Sequence, residues 1–164
     1  MKFDTSIVKA HYESPLGTMI VAATARGLAG VWFDGQRHLP DHSRWPVQAD
    51  HPVLRQAQAQ LGEYFAGTRN AFDLPLDLQG GTAFQRSVWD ALLAIPRGGT
   101  TSYGTLSRSI GQPAAVRAVG AAVGRNPLSI VVPCHRVVGA DGSLTGYAGG
   151  LERKTALLRL EGVA

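Results

Sequence analysis

The stretch TTSYGTLSRSIGQPAAVRAVGAAVG, residues 100–124, carries two helical patterns separated by a turn. In the first, Leu106 and Ile110 stand four apart, and Gly111 supplies a natural stop. Pro113 then opens a second helix built almost wholly of Ala, Val and Gly, with Arg117 as its main projecting charge. Two short helices joined by a tight glycine-bearing turn make a helix-turn-helix. Helical hairpins of this kind also occur in proteins that bind no nucleic acid. The second helix is unusual in its smooth surface, which permits close approach to a neighbouring helix or to a DNA groove.

Upstream, Thr82 and Gln85 have capping-box spacing, and Phe84, Val88, Leu92 and Ile95 form an apolar stripe that ends at Pro96. The Gly80-Gly81 pair before them reads as a linker. On its other side the pattern changes to α+β. Segments 2–12 and 18–24 read as strands joined through Pro15-Leu16-Gly17, and 26–33 completes a hairpin across Ala25-Arg26-Gly27. Residues 34–50 are polar and proline-bearing, hence loop. A helix is expected from about Asp50, with Pro52 in its first turn, an apolar stripe of Val53, Leu54, Ala57, Leu61 and Phe65, and Gly67 as its stop. Residues 71–78 read as a short extended segment.

The 164 residues are 45% hydrophobic and 17% charged, a globular balance. The net charge of +4 is unevenly distributed. Residues 1–81 hold seven basic against eight acidic side chains, and residues 82–164 hold nine against four. Eight of those nine bases are arginines, the side chain suited to phosphate and base contacts. A basic excess concentrated on a helix-turn-helix favours nucleic acid. No apolar run is long enough for a signal peptide or a bilayer span, and a lone cysteine fits a reducing compartment, so a soluble cytoplasmic protein is expected.

That cysteine, Cys134, lies in SIVVPCHRVVGADGSLTGYAGG, residues 129–150. A free cysteine is usually a small buried hydrophobe. Its neighbours His135 and Arg136 point instead to a stabilised thiolate. The β-rich SIVV before Pro133 predicts an extended segment ending at the cysteine, which would turn Cys134 and His135 to opposite faces. Proton transfer between them would then need a bridging water, with a carboxylate holding the other imidazole nitrogen. Asp90, Asp141, Glu152 and Glu161 are the candidates, and Glu161, near the end of an apolar helix, is a plausible buried partner. The glycine-dense 139–150 segment reads either as a hairpin turning at Asp141-Gly142 or as backbone N–H groups beside the Tyr147 ring, suited to a flat ligand.

The ordered set SYGTL, AVRAVG, RNP, PCHR and VVGADGSLTGYAGGLERKTALLRLEG resembles the O6-alkylguanine-DNA alkyltransferases, the methylated-DNA–protein-cysteine methyltransferases. The likeness covers nearly all of the second half and extends more loosely through SPLG, GLAGVWF and HPVL in the first. It implies an α+β chain, with an RNase H-like domain over residues 1–78 and a winged-helix-turn-helix-like alkyl-transfer domain over residues 79–164. It implies transfer of an alkyl group from O6 of guanine, and less well from O4 of thymine, to Cys134. His135, a water and Glu161 would generate the thiolate, and Tyr103 would donate a proton toward N3 of the leaving base. Arg117 would fill the gap left by a flipped nucleotide, and Asn126 would brace the cysteine turn. Val137, Tyr147, Ala148 and Gly149 would line the base pocket. The implied partner is double-stranded DNA carrying O6-alkylguanine, bound through the minor groove with little sequence preference by a monomer, alone or cooperatively.

No cofactor and no metal are implied. The two-cysteine, two-histidine zinc site of some members has no counterpart here, despite His11, His38, His42 and His51. Where some members have Ser after the pocket tyrosine, Ala148 keeps only its backbone N–H. Three rivals lie in other classes. A non-enzymatic binder of alkylated bases shares the scaffold of the resembled family, but such relatives replace the cysteine, and Cys134 is present. An alkyl- or redox-sensing regulator would need base-reading side chains that the Ala/Gly helix lacks, and a Cys-His hydrolase would need turnover on an acyl substrate.

Overall fold

The computed structural model describes residues 1–163. Strands β1 (Val8–Ser14), β2 (Gly17–Thr24) and β3 (Gly27–Phe33) form an antiparallel sheet in the order β1-β2-β3. Successive strand side chains face opposite sides, and here both sides are covered. Met19, Val21, Val31 and Phe33 face helix α1 (Pro52–Phe65), which buries Leu54, Ala57, Leu61 and Tyr64. Ile20, Ala22 and Trp32 face the other way, toward Phe3 and Trp45, whose rings lie 5.3–5.8 Å apart in tilted and edge contacts with Trp32 and each other.

Two details of this first half differ from the sequence reading. The first strand begins at Val8 rather than Lys2, because Asp4 accepts from the Ser6 N–H through its side chain and from the Ile7 N–H through its carbonyl, closing a turn. On α1 the innermost aromatic is Tyr64, not Phe65, which is only half-buried.

The outer edge of β3 would be an open row of backbone groups. Two segments close it. Leu28 exchanges hydrogen bonds with Pro75 and Asp77 of the extended 71–78 stretch, at 2.7 and 2.8 Å. Further along, the Val31 N–H donates to Pro127 O at 2.8 Å, and Ser129 N–H donates to Val31 O at 3.0 Å. The second pair ties the sheet to the turn that precedes Cys134.

The second half is helical. Helix α2 (Ala83–Leu93) starts with the expected reciprocal capping box between Thr82 and Gln85. Fully buried Trp89 reaches across to the second half of the helix-turn-helix and donates to Ala122 O at 2.8 Å. Helices α3 (Tyr103–Ser109) and α4 (Val116–Gly124) form the helix-turn-helix. Helix α4 begins at Val116 rather than Pro113, since residues 112–115 close a turn through Ala115 N–H to Gln112 O. A minimal wing pairs β4 (Thr101–Ser102) in parallel with β5 (Val137–Val138). Helix α5 (Leu151–Leu160) closes the chain against the cysteine turn. Among the described residues no helix is long and apolar enough to cross a membrane.

The Thr82 cap satisfies an otherwise orphaned N–H and lies away from the cysteine. Thr82→Ala should therefore lower unfolding free energy by about 1 kcal/mol in urea titrations, while alkyl transfer from a free-base substrate keeps its rate.

Candidate active site

Residues 129–132 are not a strand. Asn126 organises a compact turn: its Nδ2 donates to Val132 O at 2.7 Å and its Oδ1 accepts from the Leu128 N–H at 3.0 Å. Ile130 sits at φ 73°, a left-handed conformation that a β-branched residue adopts only where its surroundings impose it. The extended segment expected from SIVV is thus replaced by a turn, because the side-chain hydrogen bonds of Asn126 and the tertiary bond from Ser129 to β3 outweigh β propensity.

Cys134–Arg136 then form a single 3₁₀ turn. Its tighter winding breaks the two-faced alternation expected of an extended chain, so His135 and Arg136 both reach Glu161 while Cys134 faces a cavity. His135 Nε2 lies 2.7 Å from Glu161 Oε2. Arg136 Nε donates to Oε1 at 2.8 Å, and its Nη2 donates to Oε2 at 3.0 Å. Tyr64, from α1 in the other half of the chain, donates its hydroxyl to Oε2 at 2.5 Å. Asp90, Asp141 and Glu152 take no part.

The electrostatics follow from this wiring. Burial pushes the Glu161 carboxyl up, but hydrogen bonds from His135, Arg136 and Tyr64 outweigh it and hold it well below the ordinary carboxylate range. Burial lowers the His135 imidazole against the pull of Glu161, so the ring is neutral near pH 7. Its Nδ1 is buried with no hydrogen-bond partner among the described residues. Burial pushes the Cys134 thiol up to about 11, opposed by a hydrogen bond with Asn126 and by the charge of Lys154. The charge favouring the thiolate is therefore not Arg136, as adjacency suggests, since Arg136 is committed to Glu161.

Lys154 is fully buried on α5, and burial lowers it to about 8. Its Nζ donates to Val137 O at 2.6 Å, Thr145 O at 2.7 Å and Gly146 O at 3.3 Å, holding the 139–150 segment over the cysteine. That segment turns at Asp141-Gly142 but pairs no strands. Lys154 was legible only as a basic residue three positions before buried Leu157. Tyr64 gave no local signal at all, and Arg136 was marked only as a neighbour of the thiol, not as a partner of Glu161.

The cavity above the thiol has a volume of about 370 Å³, and Tyr103, Cys134, Tyr147 and Ala148 all line it. The Tyr103 ring lies against α4 at Gly120, where an added Cβ would stand 3.8 Å away, in ordinary van der Waals contact. Val137 and Gly149 stand behind the wall instead of lining it. Val137 is buried in β5, and a Cβ on Gly149 would collide with the Tyr147 ring at 2.6 Å. Arg117 is exposed in the first turn of α4, outside the cavity. Arg37, His38 and Arg125, unforeseen from sequence, also border it.

A single thiol on a cavity wall, beside a buried His–Glu pair and beneath a helix-turn-helix, defines a broad class: proteins that use one cysteine as a nucleophile. Comparison with known proteins narrows it. Residues 7–78 match the family model of the 6-O-methylguanine DNA methyltransferase ribonuclease-like domain, and residues 83–163 match that of the same family's DNA binding domain. The methylated-DNA–protein-cysteine methyltransferase of Methanosarcina acetivorans is 47% identical over 154 residues, spanning 93% of this chain and 97% of its own. That of Mycobacterium tuberculosis is 48% identical over 154 residues, spanning 92% of each. The crystal structure of M. tuberculosis OGT in complex with DNA superposes with a TM-score of 0.84 at 46% identity, covering 94% of this chain and 91% of that one. The chain belongs to the 6-O-methylguanine DNA methyltransferase family.

Because the Glu161 carboxyl is depressed in the fold, its contribution to stability is present above the unfolded carboxyl value near 4.5 and is lost as pH falls toward the folded value. Wild-type melting temperature should drop through that acid window. Glu161→Gln should start lower at pH 7 and show a flatter acid limb, in melting curves collected from pH 7 to 3.

Proposed function

We propose that this protein repairs DNA by direct reversal, moving an alkyl group from O6 of guanine, and less well from O4 of thymine, irreversibly onto Cys134. The observation that carries this reading is one buried thiol on the wall of a cavity of small-ligand size, beside a neutral imidazole whose other nitrogen is held by a carboxylate. Cys134 Sγ attacks the alkyl carbon, an S–C bond forms and the C–O6 bond breaks. The thiol proton passes through a water to His135 Nδ1, and Glu161 stabilises the imidazolium. Tyr103 donates to N3 of the departing guanine, which leaves neutral. Burial makes the resting thiol hard to ionise, so the thiolate forms as the imidazole takes its proton in the loaded site. The product is a thioether with no second thiol to resolve it, and each molecule acts once.

A base inside the duplex cannot reach this cavity, so the nucleotide is flipped, at a cost of a few kcal/mol. Arg117 fills the gap. The smooth Ala/Gly face of α4 enters the minor groove, and the positive charge of residues 82–164 grips phosphates without reading sequence. Asn126 braces the cysteine turn, and Tyr147 and Ala148, with Val137 and Gly149 behind them, shape the base pocket. The division into a domain of residues 1–78 and one of residues 79–164, a monomeric state on DNA and a cytoplasmic location belong to the same reading. The DNA complex of the M. tuberculosis relative supports DNA as the partner.

Intact mass after mixing with excess O6-methylguanine duplex should show one added methyl per molecule, mapped to Cys134, with no further product. Cys134→Ser should bind the duplex and acquire none. Continued turnover would instead favour a hydrolase.

Arg117→Ala should cut single-turnover repair of duplex DNA by an order of magnitude or more while changing reaction with free O6-benzylguanine little. Equal losses on both substrates would place Arg117 in the fold rather than at the flipped base.

A further inference from the structure

The mouth of the cavity carries three basic side chains that the transfer chemistry does not use. Arg37 and His38 come from the loop after β3, and Arg125 caps the C-terminus of α4. None of the three makes a side-chain hydrogen bond or ion pair among the described residues, whereas Arg69 and Arg136 both find carboxylates. Their mutual proximity registers on His38, which burial and the charges of Arg125 and Arg37 lower, with no carboxylate opposing. Like charges left together on one rim repel, and an anion between them would relieve that.

The loop is held in place rather than trailing in solvent. Gln36 is buried, and its Oε1 accepts from the Phe33 N–H at 2.8 Å. The Arg37 N–H donates to Ala148 O at 3.0 Å, joining the loop to the segment that lines the base pocket. His38 takes a left-handed φ of 63°, uncommon for a residue with a side chain. Together these features fix the loop across the cavity mouth, opposite the end of α4.

The geometry points to a phosphodiester subsite formed by Arg37, His38 and Arg125, which holds a backbone phosphate of the flipped nucleotide's strand while the base enters the cavity. It rests on the repair reading, and it gives the first half of the chain a direct contact with substrate. Arg125 lies eight residues beyond Arg117, about 12 Å along the helix axis at 1.5 Å per residue, so the subsite is a separate grip from the gap-filling arginine. Guanidinium groups suit a phosphate because their planar fork can donate two parallel hydrogen bonds.

The test compares Arg37→Ala, Arg125→Ala and Arg37→Lys with the wild-type protein on two substrates, an O6-methylguanine duplex and free O6-benzylguanine. Each alanine variant should weaken duplex binding and slow duplex repair roughly 3- to 10-fold, and should make the slope of log affinity against log salt shallower by about 0.9 for one lost phosphate contact. Transfer from the free base, which carries no phosphate, should stay within about twofold, and Arg37→Lys should retain most of the salt slope. An unchanged salt slope with unchanged duplex repair would overturn the subsite while leaving the repair reading intact. Equal losses on both substrates would also overturn it, placing these residues in the base pocket. A wild-type protein that transfers from neither substrate would overturn the repair reading, and the subsite with it.

Discussion

The buried carboxylate of Glu161 is the constraint on which the site depends. An ionised group with no exposed side-chain surface is costly unless every lone pair is matched, and here the partners converge from both halves of the chain. Tyr64 arrives from α1, His135 and Arg136 from the 3₁₀ turn, and Glu161 itself from the end of α5. Matching that charge fixes the direction of two consecutive side chains in the turn. The third, Cys134, is left facing the cavity. The same carboxylate that would stabilise an imidazolium during transfer thus also sets the shape of the turn carrying the thiol.

The ribonuclease-like half holds no cysteine, yet it supports this turn on several sides. The β3 edge hydrogen-bonds Pro127 and Ser129, and the Tyr64 hydroxyl reaches the carboxylate. Arg153 of α5 stacks on the Phe33 ring with its carbon 4.4 Å from the centroid, and it donates to both Leu16 O and Gly149 O at 3.1 Å. The left-handed Ile130 persists within this network because neighbouring backbone groups are already committed on either side. Lys154 completes the enclosure by binding three carbonyls at once. A lysine with all three protons used in this way organises the pocket segment more firmly than the segment's own glycines could.

Local patterns alone sufficed for the elements whose causes are local. The Thr82–Gln85 box, the α2 stripe, the Pro15-Leu16-Gly17 turn, Pro52 at the start of α1 and the two helices around Gly111 all depend on residues within a turn or two of each other. The motif around Cys134 likewise named Glu161 as a candidate, because a carboxylate beside an apolar helix needs a partner somewhere. Tertiary structure decided the rest. SIVV has the composition of a strand, but Asn126 and the β3 edge bend it into a turn. Arg136 looks like a neighbour of the thiol, but the carboxylate claims it. Tyr64 meets Glu161 across 97 residues, and His135 meets it across 26, separations that no periodicity records. The sequence by itself marked the helices, the turns closed by neighbouring residues and the lone cysteine as the nucleophile. Only the packed structure decided the charge state around that nucleophile, because burial and hydrogen bonding depend on what the chain brings together from afar.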